Sequence, residues 1–140
     1  MFLRTTAFTL SQNLREYQEK ALSGENVICG TNKNVCGFGV NFTKGNDFYT
    51  PFIDCSNNCP AGIHSFDGND ISLPAIYLGK SKICDVSSNK LDVVFTPPDP
   101  IVYLDNSSWG SEAEITLCLK ANNAITKKII LNNAGKIEIQ

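Results

Sequence analysis

The spacing of apolar and polar positions changes once along this chain, near residue 24. Before that point Leu3, Ala7, Leu10, Leu14, Tyr17 and Ala21 follow one another at intervals of 4, 3, 4, 3 and 4. That period lines up side chains on one face of an α-helix, so the pattern predicts a helix over residues 2–22. Arg15, Glu16, Glu19 and Lys20 lie off the stripe, and Ser23-Gly24 marks its end, because glycine readily takes the left-handed conformation that stops a helix. Phe2 and Phe8 also fall outside the stripe. The first two turns are therefore apolar on more than one side, which is unusual for a helix whose only neighbour is its own domain.

From residue 25 onward the period is two, with turn residues between short runs, as expected of a β-domain. Phe38, Val40 and Phe42 share one face of a strand over 35–42, and 48–54 follows after the turn Lys44-Gly45-Asn46-Asp47. Leu91, Val93 and Phe95 alternate with Asp92, Val94 and Thr96 until Pro97-Pro98, where no N–H remains for a ladder. Ile115, Leu117 and Leu119 repeat the alternation. Residues 127–131 and 136–139 flank Asn132-Asn133-Ala134-Gly135, a hairpin loop with glycine where positive φ is needed. The expected class is α+β: an amphipathic N-terminal helix packed on an antiparallel β-sheet, with residues 1–24 and 25–140 forming one structural domain.

The 140 residues, 42% apolar and 19% charged, suffice for one core. Twelve basic against 14 acidic side chains leave no basic stripe to neutralise phosphates, so no nucleic-acid binding is expected of this domain alone. The wholly apolar runs are about three residues long, as in Val93-Val94-Phe95, against the roughly 20 of a spanning helix.

Six cysteines with a single histidine, His64, suit a disulfide framework better than zinc, since Cys55 and Cys59 are the only close pair. The pairing favoured by proximity is Cys29–Cys36, Cys55–Cys59 and Cys84–Cys118, the last joining two distant strands. With the thiols paired and one imidazole in a Gly-Ile-His-Ser-Phe loop, no nucleophile–base couple is visible, and no enzyme activity or cofactor is expected. Asp67, Asn69 and Asp70 offer calcium-type oxygens, with Asp54 or Asp85 as further ligands, but Asp-Gly-Asn-Asp reads first as a plain turn. Asn41-Phe42-Thr43 and Asn106-Ser107-Ser108 match the glycosylation sequon only as short motifs. Trp109, in Ser107-Ser108-Trp109-Gly110, is a candidate surface contact if the indole does not fold back onto the core.

Leu14-Arg15-x-x-Gln18-x-x-Ala21, Gly37-Phe38-Gly39-Val40-x-Phe42, Phe52-Ile53-Asp54, Leu91-Asp92-Val93-Val94-Phe95-Thr96-Pro97 and the hairpin from Ile129 to Ile139 with Gly135 follow in an order that resembles the type IV pilin-like proteins. The resemblance is to the minor pseudopilin class of the H type and its fimbrial T relatives. Tyr17 stands where that family more often has a small alanine. The family's leader, its Phe-Thr-Leu-Ile-Glu motif and its apolar twenty-mer have no counterpart here, Phe8-Thr9-Leu10 matching three letters only. The resemblance implies a non-enzymatic filament subunit of a type IV pilus, a type II secretion pseudopilus or a DNA-uptake filament. It implies an anchoring half of the helix upstream of Phe2, processing by a prepilin peptidase, a place in the cytoplasmic membrane before assembly and an extracytoplasmic β-part. Phe2, Leu3, Ala7, Phe8 and Leu10 would then meet other pilin-like subunits. The alternative is a secreted, disulfide-stapled β-domain that binds a glycan or a surface protein through Trp109 and the Asn-rich loops.

Overall fold

The computed structural model describes residues 2–23, 29–30, 33–59, 64–68, 70–96 and 101–140. Helix α1 spans Phe2–Ser23. The strands are β1 (Asn34–Thr43), β2 (Phe48–Ser56), β3 (Ile71–Ser72), β4 (Ile76–Tyr77), β5 (Ser81–Val86), β6 (Lys90–Thr96), β7 (Ile101–Leu104), β8 (Glu112–Leu119), β9 (Thr126–Asn132) and β10 (Ile137–Ile139). They form two antiparallel sheets. The larger runs β3-β2-β1-β6-β7 with β4 also on β2, and the smaller runs β10-β9-β8-β5.

The 3-and-4 spacing of α1 turns Leu3, Ala7, Leu10, Leu14 and Ala21 inward, all buried. They pack on β1 and β6 of the larger sheet and on β8, β9 and β10 of the smaller one. Two polar contacts fix the helix at this position: Asn13 Nδ2 donates to the Tyr49 hydroxyl at 2.6 Å, and Arg15 donates to the Ile137 carbonyl at 3.0 Å. Against the helix lie Phe38, Val40, Phe42, Ile53, Leu91, Val93, Phe95, Ile115, Leu117, Ile129 and Leu131, the inward halves of the alternating strands.

The sheets are joined on both sides. Gly45 N–H donates to the Ile83 carbonyl and Ile83 N–H to the Asn46 carbonyl, at 2.7 and 2.8 Å. At the far side Asn133 Nδ2 donates to the carbonyls of Val102 and Ser107, at 2.8 and 2.9 Å. The hairpin loop before β10 turns through Gly135 at φ 89°, as the sequence pattern predicts.

Strands β5 and β7, with the short β3 and β4, are absent from the sequence expectation. β5 carries a register shift between Ile83 and Asp85 that breaks its alternation, and β7 has only four residues. Gly24 and the Pro97-Pro98 pair lie outside the described residues.

The disulfides correct the expected connectivity. Cys29 is bonded to Cys55 and Cys36 to Cys59, not Cys29 to Cys36 and Cys55 to Cys59; Cys84–Cys118 is as expected. The cause is the antiparallel register of β1 and β2. It sets Val35 opposite Cys55 and carries a bulge before Gly37, so the start of β1 lies along the end of β2 and the cross-strand pairs are nearer than the sequence-local ones.

Candidate functional site

The assembly residues suggested by the sequence are divided by the structure. Leu3, Ala7 and Leu10 are buried in the domain's own core, whereas Phe8 is 57% exposed. The Phe2 side chain lies outside the described residues. The burial follows from the stripe itself, which is satisfied by the two sheets. Beside the helix, Thr5, Thr6, Thr9 and Leu10 form one wall of a cleft of about 240 Å³, and Tyr49 with Ile76, Tyr77, Leu78 and Gly79 forms the other. Phe8 borders a separate depression with Arg4, Lys127, Ile139 and Gln140.

The opposite face of the larger sheet is built differently. Strand register places Gly37 beside Asp54, Gly39 between Phe52 and Val94, Asn41 beside Asp92, and Val94 beside Tyr103. The two glycines leave a floor without side chains, and a Cβ on Gly39 would lie 2.4 Å from the tip of the Phe52 ring. Residues 64–68 and 70 cover this floor. Phe66 stacks on Phe52 with ring centroids 4.8 Å apart, and its N–H donates to Asp92 Oδ2. His64 stacks on Tyr103 at 4.0 Å, shares a 2.8 Å hydrogen bond between its Nδ1 and Asp54 Oδ2, and donates its own N–H to Asn106 Oδ1. The Cys36–Cys59 and Cys29–Cys55 bonds close the same end of the sheet.

This cluster of buried Asp54 and His64 with half-buried Asp70 and Tyr103 is the feature the sequence reading missed. The available signal was Gly37-x-Gly39 inside a strand, which marks a close approach by another segment, together with Asp54 on the face away from the helix. Burial raises Asp54 and Asp70 to about 7, with the nearby Asp67 charge adding to the rise in both. Burial lowers His64, against the opposing pull of Asp70 and the Cys59 backbone. The described hydrogen bonds to the ring include no serine or thiol, and all six cysteines are in disulfides.

The other candidates separate by exposure. Asp70 Oδ1 and Oδ2 accept the N–H groups of Cys55 and Asp67, and Asp70 N–H donates to the Asp67 carbonyl, which makes Asp67–Asp70 a turn. Asn69 lies outside the described residues, and Asp85 stands apart on β5, 3.8 Å from Lys44. Among the described residues no group of three or more His, Cys, Asp or Glu side chains is arranged to hold a metal. Asn41 is half-buried with its amide on Asp92, and Asn106 has its side-chain oxygen engaged by His64. Trp109 is 87% exposed. Its loop is held by Ser107 and Ser111, which both donate to the Trp109 carbonyl, and by Asn133 Oδ1, which accepts Ser111 N–H at 2.6 Å.

No described helix is long and apolar enough to cross a membrane. No protein-family model and no curated protein matches the chain in sequence. Among solved structures it is similar to the type IV minor pilin FimU of Pseudomonas aeruginosa, with a TM-score of 0.59 over 99% of this chain and 92% of that one at 13% identity. One helix laid across antiparallel sheets, matched over nearly its whole length, gives this chain a pilin-like fold.

Proposed function

We propose that this chain is a non-enzymatic structural subunit of a filament of the type IV pilus class, whether a pilus, a type II secretion pseudopilus or a DNA-uptake filament. It assembles with other pilin-like subunits through α1, after a membrane-anchored stage, and displays the β-part outside the cytoplasm. The observation that carries this reading is the pilin-like arrangement of α1 across both sheets. The three disulfides support an oxidising exterior, and the exposed Phe8 supports a contact made by the helix beyond its own domain.

The test is incorporation. A photo-crosslinking residue at position 8, in the native host, should yield adducts with other pilin-like subunits. Phe8→Glu should abolish incorporation while leaving the unfolding midpoint of the domain unchanged. Normal assembly of Phe8→Glu would reject the helix-mediated reading. The exposure of Trp109 favours a second reading, in which this loop binds a glycan or a surface protein. Trp109→Ala should then weaken adhesion without changing subunit incorporation.

A further inference from the structure

The net charge of −2 conceals an uneven distribution. Arg4 and Lys127 border the depression beside Phe8. On the other flank of the same helix turns, Tyr77 and Gly79 border the cleft walled by Thr5 and Thr9. Lys80 follows Gly79, and its carbonyl accepts Lys120 N–H at 2.9 Å, which brings those two residues together. Lys82 lies opposite Cys118 on β8, and Cys118 lies opposite Thr126 on β9, next to Lys127. The loop between β8 and β9 adds Ile125, 47% exposed, and Tyr77 is 69% exposed.

Five cations thus share the end of the molecule at the start of α1. Among the described residues, the only carboxylate in an ion pair with any of them is Asp47, 2.8 Å from Lys120. Even with a terminal carboxylate on Gln140 counted, five cations face two anions. Elsewhere the lysines are matched: Lys20 with Glu16, Lys44 with Asp85, and Lys128 with Glu114. Lys136 is matched with Glu138.

We propose that this end docks on an anionic lipid surface, with the five cations among the headgroups and Tyr77 and Ile125 at the acyl boundary. The proposal rests on the filament reading for its setting, the membrane-anchored stage, whereas its test needs only the chain itself.

Charge selects the sign of the partner, and the apolar side chains select its kind. A nucleic-acid duplex would engage the lysines through its phosphates and leave Tyr77 and Ile125 in water. A second copy meeting this end with its own would set like charge against like. An anionic bilayer takes both classes of side chain at once. Each Lys or Arg near it gains attraction, lysine stems lie along apolar surface, and a tyrosine ring sits at headgroup level. Such a surface needs no groove, which suits an end whose apolar groups stand on separate flanks of the helix.

The test is co-sedimentation with vesicles of phosphatidylcholine alone, or mixed equally with phosphatidylglycerol. At about 0.1 M salt the protein should bind only the vesicles containing phosphatidylglycerol, and it should leave them at about 1 M, where the Debye length is about 3 Å. Lys80→Gln combined with Lys127→Gln should lower the partition constant about 20–30-fold. Lys20→Gln combined with Lys136→Gln, at matched cations away from this end, should lower it less than about twofold.

Orientation is read without any lysine variant. The Trp109 loop is tied to Asn133, whose hairpin sets Gly135 against Gln18, about 20 Å along α1 from Thr5. Brominated acyl chains should therefore leave Trp109 unquenched, and should quench the indole of Tyr77→Trp made in a Trp109→Phe background. Equal binding to both kinds of vesicle, binding to neither, or quenching of Trp109 would overturn the proposal. So would capture of a DNA duplex, or salt-sensitive self-association, in place of vesicle binding, which would give the cations to nucleic acid or to a second copy. None of these results bears on incorporation at position 8, so the filament reading stands or falls separately.

Discussion

Gly39→Ala isolates the packing of the second, outer layer on the larger sheet. Gly39 does not have positive φ among the described residues, so its backbone accepts alanine. In open space the substitution would stabilise the fold by about 0.4–1 kcal/mol through the unfolded state. The structure gives the opposite sign, because the new Cβ would meet three atoms of the Phe52 ring at 2.4, 2.8 and 2.8 Å. The ring cannot simply tilt away: Phe66 is stacked on it at 4.8 Å, and Phe66 is tied to Asp92 through its N–H. Overpacking of this kind costs about 1–3 kcal/mol, which for a domain of this length lowers the midpoint by about 3–12 °C. Urea unfolding without reductant should show a lower midpoint at unchanged slope. Phe52→Leu in the Gly39→Ala background should recover part of the loss, with a coupling of about 1 kcal/mol in a double-mutant cycle. A raised midpoint for Gly39→Ala, or a coupling near zero, would refute the close approach of ring to strand.

Leu14→Ala, at a fully buried helix position between the sheets, should cost about 2–5 kcal/mol in the same assay. Replacing both Cys84 and Cys118 by alanine should cost about 3–4 kcal/mol by loop-closure entropy across their separation of 34 residues, read as a lower urea midpoint. Non-reducing peptide mapping should recover Cys29 linked to Cys55 and Cys36 linked to Cys59; a Cys29–Cys36 peptide would contradict the register of β1 and β2. Trp109→Ala should change stability by no more than about 0.5 kcal/mol, since the indole is almost wholly exposed, and a larger loss would mean that it packs.

Periodicity carried the inner half of the fold. The spacing from Leu3 to Ala21, and the alternation in Phe38–Phe42, Leu91–Phe95 and Ile115–Leu119, report directly which side chains leave water, so α1, β1, β6 and β8 are legible from the chain. The outer layer is written in another code. Its floor is two glycines, and its cover is a turn-rich segment with hydrogen bonds to side chains 10, 26 and 42 positions away: His64 to Asp54, Phe66 to Asp92 and His64 to Asn106. Such contacts depend on strand order, which one sequence does not display. The disulfides failed for the same reason. Proximity in the chain favoured Cys29 with Cys36, whereas proximity in space is decided by the pairing of β1 with β2.

The burial of Leu3, Ala7 and Leu10 changes the assembly argument. A helix that spends its apolar stripe on its own sheets has left for any neighbour, among the described residues, a face of Arg4, Thr5, Phe8, Thr9, Gln12, Arg15, Glu16 and Glu19, of which Phe8 is the only large apolar member. Contacts on that face would combine one aromatic anchor with a polar surround rather than a continuous apolar seam. The binding energy would then concentrate at Phe8. Phe8→Ala should therefore weaken incorporation far more than Thr9→Ala or Gln12→Ala, measured as the fraction of subunits recovered in sheared filaments. Equal, small effects at all three positions would show that this part of the helix does not make the contact, and that assembly must use a different surface.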